Sequence, residues 1–114
     1  MLWAVGDGYM PSTSKGGYKS HEAVCVLNTS EKDANIEIIV YFEDREPMDH
    51  FCTTCRARRA NHIRLDMIED DKGRKIPCDT PYALLIKSDV PVVVQHSRMD
   101  VSQAEMTLMT SIAY

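Results

Sequence analysis

The amino-acid sequence predicts an all-β domain: an antiparallel β-sandwich of jelly-roll character, with about eight short strands. Three observations carry this expectation. Apolar and β-branched residues fall in short runs, with Pro and Gly at the breaks between them. The run Ile36–Phe42 alternates as a pleated strand does, and its β-branched and aromatic content suits a sheet. Segments with helical spacing are almost absent, so two packed sheets are the natural way to bury the apolar faces. With 114 residues, 44% of them hydrophobic and 26% charged, the chain suffices for one modest core, and residues 1–114 are read as a single domain.

Trp3 to Val5 reads as a first strand. Gly6 to Ser20 is rich in Gly, Ser, Thr and Pro and reads as a long loop. His21 to Asn28 is a second strand whose Val24, Cys25, Val26 and Leu27 are apolar on both faces, so it is central or covered by another subunit. A polar turn to Asp33 precedes the strand Ile36–Phe42, and a charged turn containing Pro47 follows it. His50–Arg56 and Ala60–Leu65 are weaker strands. Asp66–Lys75 is a hydrophilic loop with room for one helical turn at its start. Tyr82–Lys87 and Val92–Arg98 are strands, the latter opened by Pro91 where a proline is tolerated. At the end, Ser102 and Glu105 have the spacing of a helix capping box, whereas Met106, Leu108, Thr110 and Ile112 alternate. The strand is favoured, because it can pair antiparallel with Val92–Arg98.

Net charge is −4, which argues against bulk nucleic-acid binding. No apolar run is long enough to span a bilayer as a helix, and the first residues lack the pattern of a secretory signal. The expectation is a cytoplasmic protein without membrane insertion. The four cysteines, Cys25, Cys52, Cys55 and Cys78, are then expected as free thiols.

Four groups of residues could carry chemistry. Cys52-Thr53-Thr54-Cys55 is a CxxC, completed as a zinc site only if His50 or Cys78 joins it. Residues three apart on a strand point to opposite faces, so inert thiols are expected, with no metal and no cofactor. Arg56, Arg58, Arg59 and Arg64 form the only basic cluster, a candidate patch for phosphate or an acidic partner. The alternative is a solvated hairpin whose arginines pair with nearby acids. His21, Glu22, His96, Arg98 and Asp100 are the densest functional side chains, suited to a polar ligand or an interface. No nucleophile elbow, phosphate-binding Gly loop or HExxH accompanies them, so no catalytic residue is assigned. Trp3, Tyr9, Tyr18, Tyr82 and Tyr114 are large amphipathic aromatics that pack in cores or subunit contacts, or stack on sugars.

Several runs together resemble one family, the small soluble transducers of microbial sensory rhodopsin. They are Trp3-Ala4-Val5, Gly8-Tyr9-Met10-Pro11, Ser20 to Asn28, Ala57-Arg58-Arg59, His62-Ile63-Arg64 and Ile76-Pro77-Cys78-Asp79-Thr80. The longest is Val90 to Asp100, followed by Gln103-Ala104-Glu105 and Ser111-Ile112-Ala113-Tyr114. The resemblance implies a jelly-roll sandwich assembling as a homotetramer, and a cytoplasmic role in relaying a signal from a microbial rhodopsin. It also implies likeness to carbohydrate-binding modules, and DNA contact has been proposed for the family. Two places depart from the family pattern: the stretch His50–Arg56 with its CxxC, and Cys78, where the pattern has histidine.

Three functions follow as expectations. The first is a non-enzymatic signalling or interaction module, acting as a homotetramer and partnered by a membrane sensor such as a microbial rhodopsin. The second is a small-ligand or carbohydrate-binding module lined by Trp3, His21, Glu22, His96, Arg98 and Asp100. The third is a regulatory contact with DNA through Arg56, Arg58, Arg59 and Arg64.

Overall fold

The computed structural model describes residues 1–12, 19–100 and 107–113, and for Asp100 and residues 107–112 it describes the backbone. The described residues form eight strands and no helix. The strands are β1 (Leu2–Gly8), β2 (His21–Asn28), β3 (Ala34–Phe42), β4 (Met48–Cys55), β5 (Arg59–Arg64), β6 (Tyr82–Ser88), β7 (Val93–Asp100) and β8 (Thr107–Ile112). The first sheet has the order β1-β6-β3-β4 and the second β5-β2-β7-β8. Every pairing is antiparallel. Only β3–β4 and β7–β8 are joined within one sheet; the other connections cross from sheet to sheet, which gives the sandwich its jelly-roll character.

Alternation sets the layers. On β3, Ile36, Ile38 and Val40 are at most 2% exposed and face the other sheet, while Glu37, Ile39 and Tyr41 lie on the outer side. On β2 the inward set is Glu22, Val24, Val26 and Asn28. Phe51, Leu65, Leu84, Ile86 and Val94 complete the centre of the core. A fully buried side chain of this kind contributes about 1.5–3 kcal/mol of transfer free energy. β2 is central, between β5 and β7, and of its outward apolar residues Ala23 is buried whereas Leu27 remains 46% exposed.

Two elements run longer than the sequence predicts. β1 reaches Gly8 instead of stopping at Val5, with a register shift between Val5 and Gly8. Gly8 allows this, because its bare backbone lies against the Tyr82 ring; an added Cβ would come within 2.3 Å of that ring. β4 begins at Met48, where the pairing with β3 shifts register past Ile38. The helical turn expected after β5 is present: the Ile68 amide donates to the Arg64 carbonyl at 3.1 Å. β8 pairs with β7 from Gln95↔Ile112 to Asp100↔Thr107, so the closing segment is a strand. Ser102, Glu105, Tyr18 and Tyr114 lie outside the described residues.

Candidate functional site

Glu22 is the second residue of β2 and points into the sandwich, where it is fully buried. An isolated carboxylate there would cost several kcal/mol. Four donors compensate. Oε1 accepts from the Tyr82 hydroxyl at 2.6 Å and from His96 Nε2 at 2.7 Å. Oε2 accepts from the Tyr9 amide at 2.7 Å and from Arg98 Nε at 2.9 Å. Arg98 also donates through Nη2 to the Asp7 carbonyl at 3.2 Å and approaches the Asp7 carboxylate at 3.6 Å.

The donors come from three segments: the loop after β1, β6 and β7. Tyr82 belongs to the first sheet and Glu22 to the second, so the carboxylate ties the two layers together. His96 and Arg98 reach it because they sit opposite Val24 and Glu22 in the β2–β7 ladder. Burial pushes the Glu22 carboxyl up, but the hydrogen bonds from His96, Tyr82 and Tyr9 outweigh it and hold the group below the ordinary carboxylate range. Burial, then the Glu22 charge, push the Tyr82 phenol far above its ordinary value. The cluster is therefore an ionised carboxylate saturated by donors, including a phenol that stays protonated.

Of the predicted ligand-site residues, the structure brings together Glu22, His96 and Arg98. Trp3 lies elsewhere, half-buried on β1 opposite Ile86 and packed against the core. His21 faces away from Glu22, as its neighbour on a strand must, and its Nδ1 lies 2.9 Å from the Lys19 carbonyl. Asp100 closes β7, its backbone paired with Thr107. Tyr82 is the member that sequence reasoning did not place here. Its 60-residue separation from Glu22 leaves no local signal.

Arg64 stands apart from the other three arginines, which lie at the β4–β5 turn. Arg64 makes a two-point bond to Asp66, with Nε to Oδ1 at 2.8 Å and Nη2 to Oδ2 at 2.9 Å. It stands about 16 Å along β5 from Arg59. Arg58, at φ 55° in the β4–β5 turn, pairs with Glu31 at 3.2 Å. Arg59 bonds back to the carbonyls of Ala57 and Arg58. Among the described residues, the Arg56 side chain has no ion pair or hydrogen bond. The turn itself is held by Asn28, whose Nδ2 donates to the carbonyls of Lys32, Cys55 and Arg56.

The two cysteines of the CxxC point opposite ways. Cys52 is exposed on the outer side of β4, and Cys55 is 1% exposed in the core. Their thiolates cannot face one ion. Burial raises both thiols above their ordinary value, and for Cys52 the charges of Glu37 and Asp71 add to it. Cys52 also lines an open groove of about 530 Å³ on the first sheet, beside Leu2, Glu37, Thr54, Lys87 and Asp89. Its charges already have partners: Glu37 lies 3.8 Å from Lys87, and Asp89 takes both Asn35 nitrogens at 2.8 Å. The outer side of the second sheet is different. Leu27 and Val93 are cross-strand partners there, 46% and 55% exposed. Cys25, paired with His62 and Gln95, and Ala60, paired with Leu27, continue a face with no formal charge at its centre.

Comparison with known proteins agrees with this architecture. The family model described as Anabaena sensory rhodopsin transducer matches residues 1–114. The crystal structure of Thermotoga maritima 1070 superposes with a TM-score of 0.88 at 39% identity, covering 99% of this chain and 91% of that one. The Anabaena sensory rhodopsin transducer itself superposes with a TM-score of 0.74 at 41% identity, covering 83% of this chain and 92% of that one. No curated protein matches the sequence. No helix among the described residues is long and apolar enough to cross a membrane. The chain belongs to the Anabaena sensory rhodopsin transducer family.

Proposed function

We propose that this protein is a non-catalytic relay module that works as a homotetramer and passes a signal from a membrane sensor of the microbial rhodopsin type. The observation that carries the assembly is the outer side of the second sheet. Leu27 and Val93 lie side by side there, about half exposed, on a face whose centre carries no charge. Exposed apolar residues in register on a sheet favour burial against another subunit. The densest set of ionisable groups supports the non-catalytic part. Glu22, His96 and Tyr82 are at most 4% exposed, and each acceptor site of the carboxylate in use is filled by the protein. A catalytic acid or base has to reach a substrate proton, and these do not. The same saturation lends less support to a polar ligand or sugar at Glu22, His96 and Arg98.

The substitution Leu27→Asp tests the surface. It places a charge beside Val93 on a side chain outside the core. The expected result is a well-folded β protein of lower sedimentation coefficient than the wild type. An unchanged sedimentation coefficient would remove the second sheet from the assembly.

A further inference from the structure

A small pocket opens on the first sheet, away from the Leu27–Val93 face. It measures about 220 Å³ and is lined by Gly6 and Asp7 of β1, Tyr41 and Phe42 of β3, Glu43, and Pro81, Tyr82 and Ala83 of β6 and its approach. The volume falls below the roughly 300–1,000 Å³ of sites for drug-sized ligands. It suits a side chain better than a cofactor. The register shift between Val5 and Gly8 releases Gly6 and Asp7 from regular pairing at this point. An added Cβ on Gly6 would meet nothing within 4 Å, so the strand leaves its backbone bare toward open space.

The lining combines aromatic surface with carboxylates and contains no cationic side chain. Tyr41 lines the pocket and is 41% exposed. Asp7 is 86% exposed and only loosely engaged by Arg98 at 3.6 Å. Glu43 is exposed and has no hydrogen bond or ion pair among the described residues. The neighbouring cations are committed: Arg98 to Glu22, and Arg45 to Asp44 at 3.0 Å. Arg45 also shows what this aromatic wall accepts, because its guanidinium lies 5.2 Å from the centre of the Phe42 ring. A planar guanidinium stacks on an aromatic face and bonds carboxylates in the same plane, which an ammonium does less well.

We propose that this pocket receives an arginine side chain presented by a partner protein, with Tyr41 as the stacking surface and Asp7 and Glu43 as the counter-charges. The pocket belongs to the first sheet, whereas Leu27 and Val93 belong to the second, so assembly through the second sheet leaves it open. The proposal stands on the pocket alone and does not depend on the oligomeric state.

Amide NMR of the intact protein at low salt tests it, with N-acetyl-arginine methylamide as the probe. Saturable shifts are expected at Gly6, Asp7, Tyr41 and Ala83 in the millimolar range, weakened by added salt. The neutral isostere N-acetyl-citrulline methylamide should not produce them. Glu43→Gln should weaken binding about fivefold, the worth of one exposed ion pair, and Gly6→Val should abolish it while the remaining spectrum stays native. Equal shifts with the citrulline probe, or none with arginine at tens of millimolar, would overturn the proposal. Free arginine binding more than about tenfold tighter than the blocked form would also overturn it, since the site would then read the α-amino and carboxyl groups of a small molecule.

Discussion

Removing the Glu22 carboxylate should be the most damaging single truncation in the sandwich, and the size of the loss can be worked from its bonds. In Glu22→Ala, the Tyr82 hydroxyl, His96 Nε2, the Tyr9 amide and Arg98 Nε all lose their acceptor. Tyr82 and His96 are 4% and 2% exposed, so water cannot replace the carboxylate without opening the sandwich. Arg98 is 22% exposed and keeps Asp7, so its share is smaller. Breaking a buried charged network by deleting one partner typically costs about 3–5 kcal/mol, and that range is expected here. Glu22→Gln should cost less, about 1–2 kcal/mol. Its amide oxygen can keep Tyr9 and Arg98 while its nitrogen donates to His96 in the other tautomer and to a rotated Tyr82 hydroxyl. Urea unfolding at fixed protein concentration gives both values, and the concentration must match because self-association adds to apparent stability. The Glu22→Ala melting temperature should fall by at least about 10 °C. A Glu22→Ala loss within about 1 kcal/mol of zero would refute the reading of Glu22 as the tie between the sheets.

Acid should unfold the protein through the same groups. Glu22 is held below its ordinary value, so its contribution is full above the unfolded carboxylate range and is lost as pH falls through the lower folded value. Asp66 follows the same sign, with burial opposed and outweighed by Arg64, and so does Asp70, where the Arg74 and Lys72 amides and the Arg74 side chain outweigh burial. Stability should be flat from neutral pH down to about 5 and decline below about 4, and the gap between wild type and Glu22→Ala should narrow in that decline; a constant gap would contradict the assignment. Gly8→Ala should destabilise by about 1–3 kcal/mol, because its Cβ would meet the Tyr82 ring that is pinned by Glu22. Thermal unfolding indistinguishable from wild type would show that the close approach of β1 and β6 is not needed.

The strands were legible because each carries its own signal: the alternation of Ile36, Ile38 and Val40, the proline opening the strand before Val93, the alternating close at residues 107–112. The opposite facing of the two CxxC thiols was legible for the same reason, since strand parity sends Cys52 outward and Cys55 into the core. The cluster around Glu22 was legible only in part. His96 and Arg98 stand two apart on one strand and so share a face, which any strand reading gives. Tyr82 enters from the other sheet, and which residue crosses the sandwich is decided by packing. His21 adjoins Glu22 in sequence and is separated from its cluster by the same alternation. The basic run left two readings open, and the pairing of Arg58 with Glu31 and of Arg64 with Asp66 matches the solvated hairpin for those two residues. The pocket beside Tyr41 had no sequence signature: it depends on a register shift in β1 that no periodicity reports.

The mass of the wild-type protein in solution decides whether the chain assembles through its second sheet. Sedimentation velocity at micromolar concentration should give a single species of four chains, each of 12.9 kDa. A single species at the mass of one chain would contradict the homotetramer, because the exposed Leu27–Val93 face would then be left uncovered.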